Sequence, residues 1–510
     1  YQEHVIAGGS QAWKTPAIQS WNVWLRKLWQ DAVYAGLIPS PVMLLTEEQQ
    51  QLVWESIIET SDYGLLRTEA TAANLCEAWK TACDWKLDIR QSGFDVNEDT
   101  REFQRWAIRF EDHCKENDWL PAARMTEQLA GCMMHGTELL AERIVFTGFD
   151  ELTPSRRELL AAIENSGCKV QWAELLVQDR PPGASNVVRV ACTDSGAEID
   201  TLARWCRQKL GDNPAASIGI VVPDLSAHRE KIIRGLSAAL DPSRLVDDRN
   251  VNELWNLSLG LPLSRHLLVE TALLLLELAG GRCTLEQAGQ LLLSPYLEGA
   301  EQELASRALL DRQLRDVGEN TISVGRLAFW SGMHDRPWYC PLLQQRLADL
   351  EKHIEGVPGA ATTAGWSHVF SGILTACGWA RGRNITSTEY QAAEACNKLL
   401  MRFSGLQAIS GRIPYSRALS MLKRMARVQI FQPRTGYAPI QVLGFYEAIG
   451  QHFDHLWLMD MHDARLPASP RPSPFIPLQP VSYTHLTLPT TLNSWWGGGG
   501  GGGWVGGGGG

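Results

Sequence analysis

The stretch RIVFTGFDELTPSRRELLAAIENSGCKVQW, Arg143–Trp172, decides the fold class. Ile144, Val145 and Phe146 form a short apolar run of strand type. A turn with two acids follows, then a helix opening at Pro154, where a missing N–H costs nothing. The apolar run around Val170 closes the unit. Strand, helix, strand in about thirty residues is a βαβ unit, which predicts parallel pairing and a right-handed crossover. A strand that ends directly on Asp-Glu could hold magnesium with one carboxylate and aim water with the other. Here the strand runs into Thr147-Gly148, and neither residue can be an anionic ligand or a base. Asp150 and Glu151 come three residues late. They read as turn and capping chemistry for the helix Pro154–Ala162.

Working outward, residues 1–140 are helix-rich. In SWNVWLRKLWQDAVYAG, Ser20 stands where an N-cap belongs, and Trp21, Trp24, Leu25 and Leu28 recur at helical spacing. That stripe reads as core rather than as a base-stacking surface, and Arg26 and Lys27 lie off it. Thr46 and Gln49 have capping-box spacing. Beyond the break DRPPGASN, VVRVACTDSGAEIDTLARWCRQKL predicts strand, turn and helix, and SIGIVVPDLSAHREKIIRGLSAAL repeats the pattern. Residues 251–428 turn helical again. Strand character returns at Ile440–Gly444 and His455–Met461. Parallel-sheet material is thus split by long helical blocks, which predicts two α/β domains, each carrying a helical insertion.

The chain has 510 residues, 45% apolar and 20% charged, with a net charge of -10. That is globular composition, enough for about two to four domains. An acidic total excludes a simple basic nucleic-acid binder, so any DNA contact must be a local groove. HLLVETALLLLELAGG, the most apolar run, is broken by Glu270 and Glu277 and reads as a core helix rather than a membrane span. The eleven cysteines occur singly between Cys76 and Cys396, without CxxC or zinc spacing, as expected of reduced thiols in a cytoplasm.

Two local patterns imitate chemistry. GGSQAWKT, Gly8–Thr15, has a phosphate-loop outline, but Trp13 stands where glycine must let backbone N–H groups wrap a phosphate. HFDHLWLMDMHD, His452–Asp463, is rich in metal-ligand types. As a strand it sends His455, Trp457, Met459 and Met461 to one face and Leu456, Leu458, Asp460 and His462 to the other. No metal centre is expected there. The chain begins at Tyr1 without methionine and reads as a piece of a longer protein. Its end reads as a sequencing artefact. VSYTHLTLPT resembles a translated library adapter, and SWWGGGGGGGWVGGGGG, holding twelve of the 45 glycines, reads back as nearly pure guanine. Residues 480–510 are therefore set apart.

Several stretches together resemble a known family: GFDELTPSRREL, DSGAEIDTLARWCRQKL, IGIVVPDLSAHREKI, LSLGLPLSRHLLVETALLLLEL, LLLSPYL and QVLGFYEAIGQHFDHLWLMDMHDARLP. They look like the AddB/RexB-like branch of the RecB superfamily. More narrowly, they resemble the bacterial "probable DNA repair protein" group of the PD-(D/E)XK nuclease family. The resemblance spans most of residues 13–479 and rests on the order and spacing of the motifs. It implies a superfamily-1 helicase scaffold of two RecA-like parallel-sheet domains, followed by a nuclease that uses Mg2+. Residues 1–180 would form the first α/β domain with its helical insertion, and 181–250 would open the second. Residues 251–430 would be a helical insertion, and 431–479 the return of the second domain. Thr147 and Gly148 would then stand where active helicases have their acidic box, beside Asp150 and Glu151. Glu447 and Asp454 would be remnants of the late motif that couples DNA to ATP, with Arg465 following. The nuclease carboxylates would lie beyond Gln479.

The function so implied is a cytoplasmic, DNA-binding scaffold for DNA repair and recombination, without ATPase activity and without a cofactor in this stretch. Single-stranded DNA or duplex ends are the expected partners, with Arg26, Lys27, Arg229 and Lys231 as candidate contacts, together with a helicase-nuclease partner subunit. Two rivals stand beside it. One is an ATP-driven helicase-nuclease subunit whose catalytic ends lie outside these residues. The other is a non-catalytic protein-interaction subunit.

Overall fold

The computed structural model describes residues 17–38, 42–61, 68–133, 139–149, 151–173, 186–242, 254–281, 283–318, 320–381, 385–433, 438–463 and 472–477. The phosphate-loop outline, Asp150, Arg465 and the glycine-rich tail fall outside them. The fold is mixed α/β, mostly helical, with small parallel sheets. The chain divides into two units, one of residues 1–186 with 468–510, the other of residues 187–467.

In the first unit, helix α1 (Trp21–Tyr34) precedes strand β1 (Met43–Leu45). Helices α2 (Glu47–Glu59), α3 (Thr68–Asp84) and α4 (Glu98–Glu116) lead to β2 (Trp119–Pro121), and α5 (Met125–Met133) follows. Then comes the βαβ unit: β3 (Arg143–Thr147), α6 (Pro154–Asn165) and β4 (Lys169–Ala173). β3 and β4 pair in parallel, Arg143 opposite Lys169 and Thr147 opposite Ala173. β1 and β2 form a separate parallel pair. The capping box at Thr46 and Gln49 is formed. Ser20 does precede α1, but its side chain makes no capping bond. The tryptophan stripe is core: Trp21 and Trp24 pack against Phe146, at 5.9 and 5.7 Å between ring centroids. A second apolar centre stacks Trp54 on Phe110, 4.3 Å apart and 8° from parallel. Phe475 rests beside Phe103 at 6.2 Å, so the late segment 472–477 closes this unit.

The second unit begins with a correction. Residues 187–191 were expected to be a strand, yet they form none, and Val187 and Val188 are exposed. An apolar run without a partner strand has no hydrogen-bond ladder to hold it. Helix α7 (Ser195–Asp212) follows, then β5 (Ile218–Val221), α8 (Leu225–Leu240) and β6 (Trp255–Leu257). The helical block comes next. It comprises β7 (Leu261–Pro262), α9 (Leu267–Ala279), β8 (Cys283–Thr284), α10 (Leu285–Leu292), α11 (Leu304–Val317), β9 (Thr321–Ile322) and α12 (Val324–Ser331). It continues with α13 (Pro341–Glu355), β10 (Ala360–Ala361), α14 (Thr363–Ala376), α15 (Ser387–Ser404), α16 (Gln407–Ser410), β11 (Ile413–Pro414), α17 (Tyr415–Val428) and β12 (Ile430–Phe431). β13 (Ile440–Leu443) and β14 (His455–Leu458) return to the sheet.

That sheet has the order β14-β5-β13-β6, and every neighbouring pair is parallel. β5, in the interior, is buried along its whole length and reads IGIV, the near-continuous apolar run of a parallel strand covered on both faces. β7 and β12 pair antiparallel and form a neck through which the chain leaves the sheet and comes back. Gly260 is needed at this neck because a Cβ there would lie 2.5 Å from the carbonyl oxygen of Phe431.

Candidate functional site at the carboxyl edge of the four-stranded sheet

Because β5, β6, β13 and β14 run the same way, the residues that follow them gather on one edge. Open parallel sheets bind their ligands at that edge. After β5, Asp224 caps α8 by accepting from the Ala227 N–H at 3.2 Å. One turn on, His228 is buried, and its Nε2 stands 3.3 Å from Asp460 Oδ2. His462 Nε2 lies 3.3 Å from the other oxygen, Asp460 Oδ1. One carboxylate thus bridges two imidazoles. β14 ends at Leu458, earlier than the expected Met461, because Asp460 turns into the left-handed region at φ 59°. That turn points its N–H at both carboxylate oxygens of Glu198, at 3.2 and 3.3 Å. His228 Nδ1 is buried without a protein partner.

The cluster joins α7, α8 and β14 through charge-assisted contacts, which are stronger than neutral ones. It sets one carboxylate between two imidazole rings at the edge where open parallel sheets bind ligands. No group of three His, Cys, Asp or Glu among the described residues is arranged to hold a metal ion. His228 and Glu198 gave no local signal in the sequence, since their partner is more than two hundred positions away.

The residues singled out from sequence take separate places. Glu447 Oε2 accepts from the Gly444 N–H at 2.9 Å and from the Ser258 hydroxyl, so it ties the ends of β13 and β6 at this same edge. Asp454 belongs to the opposite edge. Its carboxylate accepts from Ser217 N at 2.9 Å and Ser217 Oγ at 2.8 Å, clamping the starts of β14 and β5. Thr147 ends β3 in the first unit, and Gly148 follows it with φ 76°. Glu151 is exposed and does not cap α6. Thr153 occupies that cap, and its own side chain makes no capping bond.

Arg26 and Lys27 are exposed on α1. Arg229 is half-buried near the sheet edge. Its Nε donates to the Leu259 carbonyl at 3.4 Å, and burial lowers its pKa from the ordinary value. Lys231 is exposed, its Nζ 3.5 Å from Ser195 Oγ at the start of α7. The first two cations belong to one unit and the last two to the other.

No known protein family matches the chain. No curated protein matches it significantly.

Proposed function

We propose that this chain is a helicase-like, DNA-binding scaffold without ATPase activity, of the AddB/RexB-like type, that serves DNA repair by end processing. On this reading both units are RecA-like domains, and a nuclease acts from beyond Gln479. The observation that carries the reading is the interrupted parallel sheet: a long helical block enters after β6, and β13 returns to lie between β5 and β6. That is the organisation the sequence resemblance implies for a second helicase-type domain. The absence of ATP chemistry rests on Thr147, the last residue of β3, and Gly148 after it, which stand where an acidic pair is required, and on Glu447 and Asp454, both held in structural contacts.

The test is single-stranded DNA binding across a salt series with ATP hydrolysis followed in the same samples. Salt-sensitive binding without hydrolysis is the expected result. Hydrolysis that disappears in Glu151→Ala overturns it in favour of a motor. No binding at low salt overturns it in favour of a protein-interaction subunit.

A further inference from the structure

The helical block carries an arginine–aromatic cluster at its surface. Arg326, Phe329 and Trp330 occupy positions i, i+3 and i+4 of α12, so they share one face of the helix. The Arg326 guanidinium carbon lies 5.8 Å from the Phe329 ring centroid and 5.5 Å from that of Trp330. In the loop that follows, the Arg336 guanidinium carbon stands 5.6 Å from the Trp338 ring centroid. Trp330 and Trp338 are 6.4 Å apart, which joins the two groups into one surface. His334 and Tyr339, at 4.4 Å, extend it. Phe329 is 57% exposed, and Arg326, His334 and Arg336 are exposed too, while Trp330, Trp338 and Tyr339 are half-buried beneath them. Residues 324–340 hold two arginines against one aspartate, in a chain whose net charge is -10.

We infer that this arginine–aromatic surface of α12 and the loop after it is a base-stacking platform for single-stranded DNA. Unpaired bases offer flat π faces that stack on exposed rings, and the phosphates between them need nearby cations. Guanidinium groups seated over the rings put both functions at one place. The local excess of arginine in an otherwise acidic chain favours a polyanion as the occupant. The inference rests on the DNA-binding reading above, but it assigns the contact to the helical block rather than to the sheet edges.

The experiment measures fluorescence anisotropy of a labelled oligo-dT on the full chain, at several salt concentrations, for wild type and three variants. Phe329→Leu keeps an apolar residue on the helix and removes the ring. It is expected to weaken binding about tenfold, while Phe329→Tyr binds like wild type. Arg336→Gln is expected to reduce the slope of log affinity against log salt by roughly 0.7, one phosphate contact. Matching circular dichroism spectra and melting curves establish that the variants are folded. If wild type binds and Phe329→Leu and Arg336→Gln bind equally well, the platform is overturned while the DNA-binding function stands. If wild type fails to bind, the function falls and the platform with it.

Discussion

Among the described residues, Arg307 is the only charged side chain of the largest fully buried ones. Its guanidinium is held by Glu303, with Nη2 at 2.9 Å and Nε at 3.1 Å, and Nη2 also reaches the Glu298 carbonyl at 2.8 Å. Glu303 in turn accepts from the backbone N–H groups of Leu342 and Leu343, at 2.6 and 3.1 Å. α13 has Cys340 at its N-cap and no side-chain cap, so a distant carboxylate satisfies its first donors and meets the positive end of the helix dipole. Removing the cation leaves a buried carboxylate half-paired. Arg307→Ala is expected to lower stability by about 3–5 kcal/mol, measured by urea unfolding. The paired change Arg307→Met with Glu303→Gln should cost less than the sum of the singles, because no buried charge is then stranded. At Asp454 the same logic gives a smaller effect. Its bonds to Ser217 lie at an exposed strand end, so Asp454→Ala is expected to cost roughly 0.5–1.5 kcal/mol.

At the scale of elements, the β7–β12 neck is the vulnerable joint. A Cβ at Gly260 would meet the carbonyl of Phe431, which is backbone and cannot rotate away. Gly260→Ala should cost roughly 1–3 kcal/mol and raise hydrogen exchange at Ile430 and Phe431 ahead of global unfolding. Next to the neck, His266 occupies the N-cap position of α9 and meets the Phe431 ring edge-on, 5.7 Å between centroids. Burial lowers its pKa from the ordinary value, with Glu389 opposing. The unfolded chain therefore binds a proton at higher pH than the folded one. This residue's stabilisation is complete above its unfolded pKa, about 6.5, and declines as pH falls towards the lower folded value. Melting temperature should drop between neutral and mildly acid pH, and His266→Gln should drop less steeply over that interval. The neck shows how the helical block can be inserted without disturbing the sheet: its two chain ends already lie side by side.

For the whole molecule, all eleven cysteines are free thiols. Burial raises Cys206, Cys340, Cys377 and Cys396 to about 12, and Cys283 to about 11. A thiolate is the reactive form, so these thiols should resist an alkylating reagent at neutral pH. Half-exposed Cys192 should react early. All eleven should be modified once denaturant is added, as read by intact mass. No helix among the described residues is long and apolar enough to cross a membrane. The five-residue run Ala272–Leu276 is instead part of the largely buried helix α9, with Glu277 held by Lys423 and Gln287.

The elements themselves were legible from the sequence, because each depends on neighbours a few residues away. Thr46 with Gln49 forms its capping box, Pro154 opens α6, and the apolar runs at Ile144, Ile218, Ile440 and His455 become strands. The run at Val187 shows the limit of such signals: its composition suits a strand, but a strand also requires a partner, and none of the described strands takes it. The candidate site was legible only in part. The period of two treated Asp460 and His462 as strand residues, but the strand ends at Leu458 and the two meet in the turn after it, while His228 and Glu198 come from helices far away in the chain. Glu447 and Asp454 stand seven positions apart in sequence, yet they serve opposite edges of the sheet, since Glu447 follows the end of β13 and Asp454 precedes the start of β14, which runs the same way. The sequence by itself determined where helices and strands begin, through caps and short-range apolar spacing. Only the tertiary structure decided the order β14-β5-β13-β6 and the joining of His228, Asp460 and Glu198, because strand pairing and buried charge contacts are settled between residues that no local pattern connects.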